Sequence, residues 1–599
     1  MKKTLCSLTA LLLSLVLLGG CALRPASLSG PLSDKLDALA GQFGSPGPEA
    51  QDGERVRNPD GLKFSEMRYE RPDTEQLAAD VRAVMDALER GAPLDELETL
   101  LDRCLDDDDR FDTMYALANI HNSKDLRDEY YAAEYEWCGT QGSSVSQLFD
   151  EMYYACVGSP LGAALEEDYF WDGFCERYAD PNDSRYTDAT VALMQRESEL
   201  VSRYRELMAD PVVTFRGEER SVYELFDELS GRDYLTALSL YYEKYNEPLA
   251  EIYIELMRTH SAMAEEMGYE SCEAMAFDFF FNRDYTPEDA ARFVEEVRMT
   301  LVPLYTWAEK RQLSYRCRPS PLSGSELYAG VRHIAKDIGG DCAEAFDFMS
   351  RYELYDIEAD LYKADASFEI YLDDYDCPYI FLKPVGTTED LMTFMHEFGH
   401  FTDSYVNFDA TDNLDIAEFF SQGLEFLSLG HLDGVLDEAQ IEALRLSGVL
   451  DALNTFVSQS AFAAFESRAH ALGADRLDAE TLNELALQAA KDFGLCPDGM
   501  ERYYRYFWMD ITHFFEYPFY VISYPVSLSI ALQFYELELQ EAGAGLAKYF
   551  EVLPRDYDGF LETVENGGLT SPFAEGSLTD AAAAIAETIG YPQSFAVAA

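Results

Sequence analysis

Residues 387–425 read TTEDLMTFMHEFGHFTDSYVNFDATDNLDIAEFFSQGLE, and within them His396-Glu397-Phe398-Gly399-His400 is an H-E-x-x-H pattern. Leu391, Phe394, Met395 and Phe398 fall at apolar i, i+3, i+4, i+7 spacing, which predicts a helix, and Thr387 with Asp390 supplies a capping start. Residues four apart on a helix share a face, so both imidazoles can reach one ion. Gly399 inside that helix costs roughly 1 kcal/mol against alanine, so something is expected to pack close there. A hydrolytic zinc takes three protein ligands and keeps a fourth position for water. Two neutral imidazoles supply two of the three. Glu397 is the candidate base that takes a proton from the water and passes it to a leaving amine.

A third ligand is sought in the next predicted helix, Asp415 to Glu425. HEFGH followed by I-A-E-F-F-S-Q-G-L-E resembles the oligoendopeptidase F and thimet oligopeptidase family, whose second motif runs E-x-x-S-x-x-x-E. The resemblance implies that Glu418 ligates zinc with His396 and His400, and that Glu425 supports the centre from behind. One departure keeps a rival open. Glu418 stands only 18 residues after His400, shorter than the family pattern, whereas Glu425 stands 25 after it, nearer the usual separation. The register of Ser421 with both glutamates favours Glu418. Asp403 stands where relatives commonly carry another His, which bears on the surroundings of the metal rather than on its ligands. The stretch from Met267 to Val297, MGYESCEAMAFDFFFNRDYTPEDAARFVEEV, is also similar to a region that family members carry well before the metal helix.

A further constellation lies near the C-terminus, THFFEYPFYVISYP from Thr512 to Pro525. A neutral donor aimed at a tetrahedral oxyanion contributes roughly 3–4 kcal/mol beyond the metal. The family carries a His and a Tyr about a dozen residues apart in such a segment. By that resemblance His513 and Tyr524 are the expected donors, with Tyr520 next and Tyr517 behind it.

Upstream of the metal helix the period changes to that of strands. Residues 366–372 and 378–383 are β-branched and aromatic runs around Asp373 to Asp376, a hairpin. Such a sheet braces the helix, and its edge can pair with an extended peptide. From about residue 65 to 316 the spacing is helical and aromatic-rich, as in TEQLAADVRAVMDALERGAPLDELETLLDRCL. His121, His260 and His333 stand there without a motif and read as surface or core residues.

The first residues read as targeting, not fold. Lys2 and Lys3 precede an apolar run, Leu5 to Leu18, too short for a bilayer span, and Leu18-Gly19-Gly20-Cys21 resembles a bacterial lipobox with Cys21 as the acylated residue. The expected organisation is a signal peptide over 1–20, a flexible Pro/Gly/Ser-rich tether over 21–64, an N-terminal helical lobe over 65–330 and a catalytic region over 331–599. A formal charge of −66 argues against nucleic acid and against adsorption to anionic lipid. Nine cysteines lie outside the signal and lipobox, no C-x-x-C occurs, and no pairing is inferred.

The family resemblance implies a mainly α fold, two helical lobes across a deep substrate channel, with a small β-sheet beside the zinc helix. It implies a zinc metalloendopeptidase with one zinc ion that cuts short peptides internally. The expected location is outside the cytoplasm, held to the membrane through the lipid on Cys21 alone. Two alternatives stay open. One is a carboxypeptidase or dipeptidyl carboxypeptidase on the same scaffold, needing a cation such as Lys383 to grip a free carboxylate. The other is a lipid-anchored peptide-binding protein that has lost catalysis.

Overall fold

The computed structural model describes residues 56–592 apart from 171–172, 180–184, 318, 365, 410, 412 and 556–558. Among these residues the fold is mainly helical with two small sheets. Three helices come first: α1 (Thr74–Glu89), α2 (Leu94–Lys124) and α3 (Glu129–Gly158). Asp73 caps α1 by accepting from the Gln76 N–H at 3.0 Å. Leu77, Val81, Leu101 and Phe149 on these helices, with Phe174 after them, form a small core of their own. Further along α2, Met114, Leu117 and Ile120 belong to the main core, so this one helix serves both.

After α4 (Asp188–Ala209) comes a hairpin that the helical spacing does not reveal, β1 (Val212–Phe215) with β2 (Glu218–Ser221). Its two-residue turn is Arg216-Gly217, both at positive φ (54° and 92°), the turn whose twist suits adjoining strands. The long α5 (Gly231–Glu266) then reaches the chain around residues 483–510. Tyr242 donates to Asp510 at 2.7 Å, and Asn246 and Asn483 exchange amide hydrogen bonds at 3.0 and 2.9 Å. The main core runs from Phe64 to Ile589, so the expected division at residue 330 is not a break in packing. Apolar spacing identifies an element but not its partner.

The expected tether also ends too late. Asn58 is buried and its N–H donates to Tyr375 O at 2.9 Å, while the Arg57 guanidinium lies over Tyr405 and Phe408, 4.1 and 3.7 Å from the ring centroids. Residues 57–64 are therefore part of the body. The expected signal peptide, Cys21 and the tether to residue 55 lie outside the described residues.

After α6 (Pro287–Thr300), the second sheet has the order β3 (Tyr355–Asp356), β5 (Cys377–Leu382), β4 (Ser367–Leu372). β4 and β5 are the expected hairpin, antiparallel with Ser367 opposite Leu382 and Leu372 opposite Cys377, and β3 is parallel to β5. The turn closes through Asp376 in the left-handed region (φ 43°). β4 is left as an edge, and both long strands pack under α7 (Glu389–Asn407). α8 (Leu414–Ser428) lies against α7, α9 (Glu438–Leu472) follows, and α10 (Ser523–Gln540) runs along α8. No helix among the described residues is long and apolar enough to cross a membrane.

Candidate metal centre

α7 starts one residue later than the sequence reading. Thr388 is its N-cap residue, and the Asp390 carboxylate gathers the N–H groups of Val385, Gly386 and Thr387 at 2.9, 2.7 and 2.9 Å. Those bonds fix the loop that leads from β5 into the helix. Gly399 then shows why no side chain is allowed on this face. A Cβ there would stand 2.5 Å from Ser421 Cα and 3.1 Å from Phe420 O, so α7 and α8 meet backbone to backbone. Asn413 caps α8 by accepting from the N–H groups of Asp415 and Ile416.

This close approach brings three groups together. A nitrogen of His396, a nitrogen of His400 and a carboxylate oxygen of Glu418 lie within 4.8 Å of one another. The two imidazoles are nearly perpendicular, with centroids 5.0 Å apart. Glu425, the rival ligand, stands elsewhere: its Oε2 is 3.5 Å from His396 Nδ1, whereas Glu418 Oε2 is 3.7 Å from His396 Nε2. A carboxylate on Nδ1 fixes the ring and leaves Nε2 toward the cluster. Two imidazoles and one carboxylate, with no thiolate, form a donor set that fits zinc.

The electrostatics are those of a buried acidic site. Burial opposes charge on His396, but Glu425, Glu418 and Glu397 outweigh it and lift the imidazole to about 9. Burial and then His396 hold the His400 imidazole neutral, well below its ordinary value. Glu397 is 6% exposed; burial, opposed by His396 and reinforced by Glu418, lifts its carboxyl to about 7. Burial also raises Glu418, with His396 opposing.

Sequence reasoning passed over several supports of this centre. Glu369 on β4 reaches the same interior, its carboxyl lifted to about 8 by burial, with Ser404 opposing and Glu397 adding. Asp403, noted as a departure, forms a buried two-pronged pair with Arg555 (3.0 Å at Nη2) and accepts from Asn407 Nδ2 at 2.8 Å. It ties α7 to the chain near Leu553. Its partner lies too far along the chain for any local signal.

The C-terminal constellation is also assembled. Tyr524 Oη and His513 Nε2 share a hydrogen bond at 3.3 Å, and the Tyr520 ring lies 5.0 Å from His513 and 5.3 Å from Tyr524. The Tyr517 ring joins the group 5.8 Å from Tyr520. Tyr524 stands in the first turn of α10, the helix that runs along the Glu418 helix. Two arginines hold the segment. Arg205 of α4 grips Glu516 with bonds of 3.1 and 3.0 Å. Arg283, fully buried, donates to Phe519 O at 3.0 Å and Ser523 Oγ at 2.7 Å, and its Nε lies 3.5 Å from Asp415 Oδ2 at the start of α8. Tyr285 donates to the same Asp415 oxygen at 2.8 Å. Arg283 lies in the FDFFFNRDY run, whose likeness to relatives was a visible signal without a role attached.

Two family models match the sequence: the peptidase M3 N-terminal domain over residues 64–173 and peptidase family M3 over residues 352–555. The second contains the whole ligand cluster, Glu397, His513, Tyr520 and Tyr524. The chain belongs to peptidase family M3. As an M3 member it is a metallopeptidase acting on peptides. No curated protein matches it by sequence. Among solved structures, a protein assigned as oligoendopeptidase F is 24% identical with a TM-score of 0.74, covering 89% of this chain and 99% of that one. PZ peptidase A, solved with an inhibitor, is 23% identical with a TM-score of 0.75, covering 88% and 99%. A protein from Bacillus anthracis, also assigned as oligoendopeptidase F, is 22% identical with a TM-score of 0.72, covering 89% and 99%. At these identities the likeness is one of fold, and it matches the mainly helical M3 body described above.

Proposed function

We propose that this M3 chain is a zinc-dependent endopeptidase that cuts short peptides internally. The observation that carries the reading is the meeting of His396, His400 and Glu418 within 4.8 Å beside the buried Glu397. Those three residues would hold one zinc ion, which when bound supplies Lewis acidity toward the scissile carbonyl and toward water. Glu397 takes a proton from the attacking water as its oxygen bonds to the carbonyl carbon. It then delivers that proton to the amine nitrogen as the C–N bond breaks. His513 and Tyr524 are the donors for the oxyanion, with Tyr520 packed beside them. Glu425 keeps His396 in the tautomer that presents Nε2.

Removal of C-terminal residues is the alternative, and it needs a cation, Lys383 or an arginine, to grip a terminal carboxylate. Lys383 donates to Lys363 O at 3.0 Å, a bond that takes only one of its ammonium N–H groups. The edge of β4 offers main-chain groups to an extended substrate, which suits many sequences with little side-chain selectivity. The location remains the one the sequence suggests, outside the cytoplasm on a lipid at Cys21; metabolic labelling with a fatty acid that disappears in Cys21→Ser tests it. The activity is tested with an internally quenched peptide of about ten residues and a matching set with blocked C-termini. Chelator-sensitive cleavage at internal bonds of both sets supports the reading. Cleavage confined to free C-termini would assign a carboxypeptidase, and no cleavage by zinc-loaded protein would assign a binding protein.

A further inference from the structure

A cavity of about 220 Å3 lies between α6, α9 and the turn that carries Glu273 and Phe277. Phe277, Val294, Phe493, Val521 and Ile522 make most of its wall apolar, and Phe519 closes part of it. Three carboxyls line this space, and Glu295 is already paired with Arg298, which leaves Glu466 and Glu273. Glu466 is 1% exposed, and beyond the nearby Phe519 N–H its oxygens have no hydrogen-bond partner. Glu273 accepts from Ser467 Oγ at 2.7 Å, and a carboxylate has room for further donors. Burial, opposed by the nearby Phe519 N–H and reinforced by Glu273, lifts the Glu466 carboxyl to about 8. Buried acceptors of this kind are ordinarily satisfied, and their unsatisfied state calls for a partner.

The partner's chemistry follows from the walls. A metal ion is a poor fit, because among the described residues only His396, His400 and Glu418 converge closely enough to hold one. Hydrocarbon walls around two acceptors suit a compact cationic head on an apolar body. The arginines that also line the cavity each pair with a carboxylate, Arg298 with Glu295 at 2.5 Å and Arg468 through Nη2 alone with Asp492 at 2.8 Å. Neither serves Glu466.

We propose that this cavity binds a primary ammonium carried on a short branched apolar group, with its nitrogen on Glu466 and Glu273. The hydrocarbon rests on Phe277, Val294 and Ile522. A free amine and a free amino acid share this chemistry. Arg468 Nη1, buried without a partner, is a donor that only the amino acid's carboxylate can use. The site adjoins the catalytic donors through Phe519, which holds the left-handed conformation (φ 62°) directly before Tyr520.

Calorimetric titration of the full chain with isoamylamine, L-leucine and 4-methylpentanoate tests the proposal without requiring turnover. Isoamylamine and leucine are expected to bind at a single site, and 4-methylpentanoate, which lacks the ammonium, is not. Tighter binding of leucine assigns the amino acid as the source, and tighter binding of isoamylamine assigns the amine. Glu466→Gln, which keeps the side chain's shape, should weaken binding by roughly thirtyfold or more. Ala464→Leu, which fills the cavity, should abolish it; melting curves confirm that both variants fold. The proposal is overturned if neither ammonium compound binds, if 4-methylpentanoate binds as well as they do, or if both variants retain wild-type affinity.

Discussion

The proposed metal-binding half of the site and the proposed oxyanion-donor half are built in opposite ways. His396, His400 and Glu418 sit on two regular helices pressed together at Gly399, so their geometry follows from helix periodicity and one close contact. His513, Tyr520 and Tyr524 sit on a four-residue helix, an irregular turn and the first turn of α10. That segment is held from outside, by Arg205 on Glu516 and by Arg283 on Phe519 O and Ser523. The first half takes its geometry from its own secondary structure, the second from distant side chains that clamp it. Arg283 joins the two through Asp415, so ligand and donor helices share one buried charge pair.

The comparison breaks most sharply at Glu397. Glu397→Gln leaves all three ligands in place, so zinc content should be unchanged while kcat falls by as much as about 10⁴-fold. Arg283→Met comes next. It strands Asp415 in the interior, and urea unfolding should show a loss of about 3–5 kcal/mol, with kcat reduced in the protein that remains folded. Bound zinc retained alongside that lower kcat would show that the clamp serves the donors more than the ligands. Tyr524→Phe removes only a hydroxyl, and kcat should drop roughly 10²–10³-fold at unchanged stability if Tyr524 donates to the oxyanion. A wild-type kcat would make Tyr524 a packing residue and pass the role to His513 or Tyr520. The smallest effect belongs to Gly399→Ala, where a methyl forces α7 from α8 at a cost of about 1–3 kcal/mol, read as a lower Tm and weaker zinc retention.

The same contrast explains what could be read from the sequence. HEFGH, the Glu418 register, the 366–383 hairpin and the close contact at Gly399 are local patterns, and local patterns survive in a one-dimensional chain. The choice between Glu418 and Glu425 was open on spacing alone, and in space the two stand at different nitrogens of the His396 ring, Glu418 at Nε2 and Glu425 at Nδ1. What stayed hidden depends on partners far along the chain: Asp403 with Arg555, Arg283 with Asp415, α5 with residues 483 and 510. The β1–β2 hairpin was hidden for another reason, its strands being only four residues each inside a helical neighbourhood. Residues 57–64 looked like linker by composition, yet Arg57 stacks on two aromatic rings of the metal helix and its end.

Zinc content per chain, measured by mass spectrometry on wild-type protein and on Glu418→Gln and Glu425→Gln, tests the central claim most directly. With His396, His400 and Glu418 as the ligands, wild type should carry one ion per chain and Glu418→Gln should lose it. Glu425→Gln should keep a site weakened about 10–100-fold. Full retention in Glu418→Gln with loss in Glu425→Gln would contradict the assignment.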